Sequence, residues 1–270
     1  MRILHIARWC SARVYKQVLC QQAAGWDVTL MAGQSPHMEL QAMVEKCIGW
    51  CNASVLGEVS DMYDVAIVHT TISTINDIHL PVCSKRRIWD CHDYVCNYGH
   101  EMFDAVTCPS NGMAKRFHNG VVVYSKVPSA LWPINNGCDI DAYVLAATIG
   151  NGEQWSNYEG ISERLGSPVF IYPSGEYYEG HKNELIMKRL SYIDMLSALT
   201  RYKAGYAGAA NDKVSIHDCV TNKFWEYIAA GIEPITYRSD EMEALMREAN
   251  VRQTAAMEHE LTKMEEAYEI

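Results

Sequence analysis

The sequence predicts an α/β protein of two Rossmann-like, doubly wound domains in tandem. Three observations lead there. Short β-rich apolar runs alternate with amphipathic stretches along the chain, which is the rhythm of βαβ units in a parallel sheet. The alternation stops at PSALWPINNGCDID (128–141), where prolines, a glycine and several Asn and Asp residues break all periodicity, and then restarts. With 270 residues, 49% apolar and 21% charged, the chain has material for sizeable cores and none of the signature of disorder. Two such domains facing each other place the carboxyl ends of both sheets at a central cleft, where open α/β sheets bind ligands.

Within the first domain, 1–130, the run RILHIA makes a strand at 2–7, and an amphipathic helix follows at 11–24. Strands are expected at 27–31, at 63–69 (YDVAIVH), at 87–90, at 105–108 and at 121–124, with a helix at 111–117. Residues 131–140 read as a linker. The second domain, 141–270, alternates strands at 143–149, 169–172, 186–190, 204–207 and 234–237 with helices at 155–165, 192–202 and 221–230. Its Met-rich acidic end from 240 to 270 reads as amphipathic helices turning Met242, Leu245, Met246 and Met257 onto that core.

Composition limits the function. Lys and Arg number 23 against 33 Asp and Glu, a net charge of -10, which argues against a general polyanion-binding surface, so any nucleic-acid contact must be local. The chain opens directly on a strand-like run without a signal-sequence pattern, and its apolar runs, such as YVLAATIG, are far too short to span a membrane. The ten cysteines are therefore expected to be reduced thiols of a soluble, cytoplasmic protein. Cys91, His92, Cys96, His100 and Cys108 cluster without a second zinc-type pair, so no metal is expected.

The most informative segment is HDCVTNKFWEYIAAGIEPITY, 217–237. Thr221 or Asn222 caps a helix whose first turns carry Lys223 and Glu226, while Phe224, Trp225, Tyr227 and Ile228 pack it. Gly231 ends the helix and EPITY starts the next strand. The amides and partial positive charge at the N-terminus of this helix suit a diphosphate, and a carboxylate one turn further in suits ribose hydroxyls. In the first domain, WDCHDYV (89–95) follows a strand and presents Asp90, His92 and Asp93 at its carboxyl end. His92 there positions a sugar or acceptor and Asp93 polarises an acceptor hydroxyl; in the plainer reading the aspartates cap the next segment and His92 is a satisfied polar residue. His69 ends another strand, and His5 reads as a packed core residue. The basic run Ser84 to Arg87, with Lys115 and Arg116, reads as solvated charge or as a contact for an anionic acceptor.

Asp218, seven intervening residues, Glu226, the run YIAAG and the strand EPIT together resemble the donor-binding domain of GT-B glycosyltransferases, in particular the large retaining, family 4-like group. Asn222, Lys223, Glu226 and Tyr227 match its Asn-Lys-x-x-Glu-Tyr variant, and the opening 33 residues, FDAVTCPSNGMAKRF and YIDMLSALTRYKAGYAGA follow its order. The resemblance implies a nucleotide-sugar donor and transfer to an acceptor hydroxyl of a glycan, a lipid, a small molecule or a modified DNA base. It further implies retention of configuration and no metal or other cofactor, with Glu226 on the donor ribose and Asp218 near the donor sugar or phosphate. The chain departs from the group at Arg8-Trp9-Cys10-Ser11, where a glycine-rich turn is usual, and at Glu159, where a cation is usual. Phosphate charge must then come from Lys223, Arg13, Lys16, Lys182 or Arg189. Two other readings share the architecture: a nucleotide-sugar epimerase or hydrolase, and a non-catalytic sugar-nucleotide binding module.

Overall fold

A computed structural model describes residues 1–35, 37–49, 63–69, 84–91, 102–147, 160–173, 185–208 and 219–269. They fall into two compact units, Met1–Pro128 with Met257–Ile270, and Ser129–Ala256.

The first unit runs β1 (Arg2–Trp9), α1 (Ala12–Ala23), β2 (Asp27–Gln34), α2 (Met38–Gln41), β3 (Cys47–Gly49), β4 (Tyr63–His69), β5 (Ser84–Asp90), β6 (Ala105–Cys108), α3 (Asn111–Ala114) and β7 (Gly120–Val122). Its strands form one parallel sheet in the order β3-β2-β1-β4-β5-β6-β7. The chain order reverses between β1 and β4, as in a doubly wound fold. β1 and β4 lie at the centre and are buried along most of their length, which is why both read as near-continuous apolar runs. Leu4, Ile6, Met31, Val68, Trp89 and Val106 belong to the core cluster, and Trp89 meets the Phe117 ring edge-on at 5.4 Å between centroids. The basic run at 84–87 begins β5 instead of preceding it. Lys85 pairs with Asp64, and Arg86 donates to the Glu269 carbonyl.

The helix α1 is unusual. Beside Val14, Tyr15 and Val18 it buries Arg13, Lys16, Gln17 and Gln21, so polar side chains face the interior and must find partners there.

The second unit contains β8 (Ile140–Ala147), α4 (Ile161–Leu165), β9 (Val169–Pro173), β10 (Leu185–Ile186), α5 (Tyr192–Leu199), β11 (Tyr202–Tyr206), α6 (Asn222–Ala229), β12 (Glu233–Ile235) and α7 (Asp240–Arg247). Its parallel sheet has the order β10-β9-β8-β11-β12. Leu145, Ile161, Val169, Ile171 and Tyr206 form a core cluster.

The last helix, α8 (Leu261–Glu269), corrects the expected domain limits. Residues 257–270 belong to the first unit instead of closing the second. Met257 donates its N–H to the Val127 carbonyl, and the Glu260 carboxylate accepts the Tyr124 N–H and pairs with Lys126. Met264, Ala267 and Tyr268 are buried, and Gln21 of α1 bonds the Tyr268 hydroxyl at 2.9 Å. The spacing of Met and Leu along this tail was legible, but that spacing marks a buried face without saying which core receives it.

Candidate functional site

In the second unit the chain order reverses between β8 and β11, and ligands of open α/β sheets sit at the carboxyl ends of the strands at such a reversal. Pairing of β8 with β11 is last recorded at Val144 and Gly205. Beyond it the Tyr227 hydroxyl takes over: it accepts the Ala146 N–H at 3.0 Å and donates toward the Tyr206 carbonyl at 3.3 Å. Gly205 makes room for this ring, since a Cβ there would lie 2.4 Å from it. Tyr227 thus closes the floor of the crevice, a role beyond the packing expected of it.

The helix α6 starts beside the same strand ends. Thr221 is its N-cap residue but makes no side-chain cap; its hydroxyl donates instead to the Ala207 carbonyl, at 3.4 Å, after β11. No acidic side chain stands in the first turn, so the partial positive charge there is left for another anion. Asn222 is exposed and Lys223 half-buried at this end. At the other end Gly231, with φ +74°, accepts the reversal of the chain, and Ile232 donates back to the Tyr227 carbonyl, the glycine-terminated close the sequence predicts.

Glu226 lies one turn into α6, only 6% exposed, and its Oε1 accepts a 3.0 Å hydrogen bond from the Tyr192 hydroxyl at the start of α5. Burial first, and then the Glu226 carboxylate, push the Tyr192 phenol well above its ordinary range, so it stays a proton donor. Tyr192 is a candidate site residue that sequence reasoning missed, because 34 positions separate it from its partner. So is Arg238. The turn after β12 holds Arg238 at φ +57°, a left-handed conformation rare for arginine, with its guanidinium 5.5 Å from the centre of the Tyr237 ring. This turn packs on the end of β11, where a Cβ on Gly208 would come within 2.6 Å of the Tyr237 backbone. Ser239 donates to the Cys219 carbonyl ahead of α6. A lone arginine between a strand and a helix cap carries no distinctive sequence signal.

Of the other expected site residues, His92, Asp93, Asp218 and Lys182 lie outside the described residues, and Arg189 is exposed shortly before α5. Arg13 does not fit its expected role as a phosphate cation. It is 2% exposed in the first unit, with Nε and Nη2 on the Asp90 carboxylate at 2.9 and 2.6 Å and Nη1 on the Val123 carbonyl. A guanidinium so buried and so fully engaged presents no donor to a ligand. Lys16 is likewise buried, donating to the Ser125 carbonyl at 2.7 Å.

Asp90 itself ends β5 as the centre of a buried polar cluster. Its Oδ1 accepts from Arg13 and from Thr107 Oγ1; its Oδ2 accepts from Arg13, from Gln17 and from His69 Nδ1 at 2.9 Å. His69 Nε2 meets His5 Nδ1 at 2.7 Å, and His5 Nε2 meets Gln21 at 2.7 Å. Burial, then the neighbouring His69, lower His5 to about 3. The reading of Asp90 as a cap for the next segment gives way to this inward role. His5 is the core residue expected, with both nitrogens bonded. No group of His, Cys, Asp and Glu suited to a metal occurs among the described residues, and no helix among them is long and apolar enough to cross a membrane.

No protein-family model matches the chain, and no curated protein matches it. Solved structures do. The chain superposes on AviGT4, a glycosyltransferase involved in avilamycin A biosynthesis, with a TM-score of 0.60 at 11% identity, covering 99% of this chain and 97% of that one. It superposes on an α-glucosyltransferase in complex with UDP-glucose and DNA containing an abasic site with a TM-score of 0.58 at 13% identity, covering 99% and 95%. An α-glucosyltransferase in complex with UDP and a 13-mer DNA containing an HMU base gives 0.57 at 13%, again over 99% and 95%. At such identities these likenesses establish the fold: two Rossmann-like domains of the GT-B type.

Proposed function

We propose that the chain is a glycosyltransferase that moves a sugar from a nucleoside diphosphate sugar to an acceptor hydroxyl. The observation that carries this reading is the placement of buried Glu226 one turn into a helix with no side-chain cap, at the chain reversal of the second sheet. Ribose hydroxyls donate to Glu226, which Tyr192 orients, and the diphosphate lies against the first-turn amides of α6. Lys223, Arg189 and Arg238 are the described cations that can neutralise it, with Thr221 and Asn222 at the same helix end. In the reaction the bond between the anomeric carbon and the phosphate oxygen breaks, and the acceptor oxygen bonds that carbon. The nucleoside diphosphate leaves with the electron pair, and the acceptor proton passes to the leaving phosphate. Helix-end amides and cations stabilise that leaving charge without a metal.

Likeness in fold to α-glucosyltransferases described with UDP and UDP-glucose supports a uridine donor, and the Asp218–Glu226 spacing supports a retaining, family 4-like enzyme. His92 and Asp93, in the sequence immediately after β5, take the acceptor-side roles, and Asp218 lies near the donor sugar. The cysteines, read from the sequence as reduced thiols, support action in the reducing cytoplasm.

Calorimetry with UDP and UDP-glucose tests the donor site: Glu226→Ala removes charge-assisted hydrogen bonds, so affinity should fall about ten- to hundredfold with the fold intact. Unchanged affinity sinks the ribose assignment. Product analysis with donor alone separates a transferase from an epimerase or hydrolase, because only the last two consume donor without an acceptor. Donor binding without turnover across an acceptor panel points instead to a binding module.

A further inference from the structure

The segment Arg8-Trp9-Cys10-Ser11 stands where a glycine-rich turn was expected, and the proposed donor site, in the second unit, makes no use of it. It closes β1, one of the two strands at the chain reversal of the first sheet, and open α/β sheets take ligands at the carboxyl ends of the strands there. Pairing of β1 with β4 is last recorded at Ala7 and His69, whereas pairing with β2 runs on to Trp9 and Gln34. Cys10 donates its N–H to the Gln34 carbonyl at 2.9 Å, and the Arg8 carbonyl leaves no room for a Cβ on Gly33. The strand end is therefore held tightly against β2.

On that fixed end the Trp9 side chain is 60% exposed. Strand residues alternate between faces, so Trp9 shares the face of His5, which bonds Gln21 of α1, and stands on the α1 side of the sheet. An indole so exposed adds little to the core; it offers a flat apolar face on which a ring can stack. The helix α1 begins three residues on. Its N-cap residue, Ser11, makes no side-chain cap, and no acidic side chain stands in the first turn, so the first amides and their partial positive charge are left for another anion. The Ser11 hydroxyl has no hydrogen-bond partner, and neither has the hydroxyl of Tyr15, a wholly buried side chain in the first turn. Helical side chains lean towards the N-terminus, and the Tyr15 hydroxyl stands beside Cys10 and Ser35, at the approach to that helix end. Burial raises the phenol above its ordinary range, so it keeps its proton. Arg8 is exposed and makes no ion pair among the described residues.

We propose that this end of the first unit binds a sugar phosphate. The sugar ring stacks on Trp9, while the phosphate takes the first-turn amides of α1, the hydroxyls of Ser11 and Tyr15, and the charge of Arg8. Platform and anion seat are two residues apart in the chain, so a ligand carrying both a ring and a phosphate engages both, and a neutral sugar engages one. Binding here asks nothing of the donor site. That the sugar phosphate is the acceptor rests on the transferase reading above.

Calorimetry on the full chain tests the site with hexose 6-phosphates, the parent hexoses and inorganic phosphate. A hexose 6-phosphate should bind about tenfold or more tighter than either fragment. Trp9→Ala, at an exposed position, should weaken the sugar phosphate about tenfold and leave inorganic phosphate unchanged. Arg8→Gln and Tyr15→Phe should weaken both phosphate ligands and leave UDP affinity as in wild type. The proposal is overturned by any of three results: no hexose phosphate bound at millimolar concentration, equal affinity for a hexose and its phosphate, or affinity unchanged in both Trp9→Ala and Arg8→Gln. Tighter binding of uridine monophosphate on the same residues also overturns it, since the seat would then be one for nucleotides. The two readings fail separately. A sugar phosphate that binds without releasing UDP from UDP-glucose keeps the site and removes the acceptor assignment; UDP-glucose turned over with other acceptors, while no sugar phosphate binds, keeps the transferase and removes the site.

Discussion

A phenol and a carboxylate meet at the centre of the proposed donor site, and the pair explains how a buried glutamate stays in place. The Tyr192 hydroxyl donates to Glu226, offsetting part of the cost of keeping the carboxylate out of water. Tyr192→Phe leaves that oxygen one donor short, so it should lower stability by about 1–3 kcal/mol in urea unfolding. UDP affinity should fall with it, because the freed carboxylate is no longer preset. A loss of stability with unchanged UDP affinity would confine Tyr192 to packing. His5 makes a second residue-scale statement. Folded, it stays neutral down to about 3, whereas in the unfolded chain it titrates near its ordinary 6.5. Above 6.5 both states are neutral and His5 adds no slope. Between 6.5 and 3 the unfolded state alone binds the proton, so stability falls as pH falls, by about 1.4 kcal/mol per pH unit. Urea unfolding at pH 6, 5.5 and 5 should show a pH slope smaller by nearly that amount in His5→Asn than in wild type. Equal slopes would place His5 in contact with water.

Among the elements, the helix with the plainest sequence signature and the one with the least behave differently. α6 is legible from its pattern: packing residues at helical spacing, Gly231 at its end and a proline-containing strand after it, all local features. α8 is legible as a helix and illegible as a partner. Its Tyr268, and Glu260 just ahead of it, meet Gln21, Tyr124 and Lys126 more than 130 residues away, and helical spacing holds no information over that distance. The same limit hides the Asp90 cluster, where Arg13 reads as an available cation until the structure sets it on a carboxylate 77 positions away. Ending the chain at 256 should therefore damage the first unit, not the second. Loss of Glu260 leaves Lys126 as a buried charge without that carboxylate, a change that typically costs about 3–5 kcal/mol. Hydrogen exchange of the truncated chain should rise across β1, β6 and α1 and stay unaltered across β8 and β9. Faster exchange in the second unit alone would contradict the assignment of the tail.

At the scale of the whole molecule, the chain builds one parallel sheet, crosses at Pro128 to build a second, and returns at Met257 to complete the first unit with α8. Each sheet has its own chain reversal, at β1 and β4 in the first unit and at β8 and β11 in the second. Chemistry-bearing residues stand near both: His5 and His69 on the first pair of strands, Tyr227 and Glu226 beside the second. The proposed division of labour gives the acceptor to the first unit and the donor to the second. The central claim is that the second unit binds a nucleoside diphosphate sugar at the start of α6. A crystal soaked with UDP-glucose tests it most directly. The account predicts density for the diphosphate on the first-turn amides of α6, with the ribose hydroxyls on Glu226; nucleotide bound elsewhere, or none bound at millimolar UDP-glucose, would contradict it.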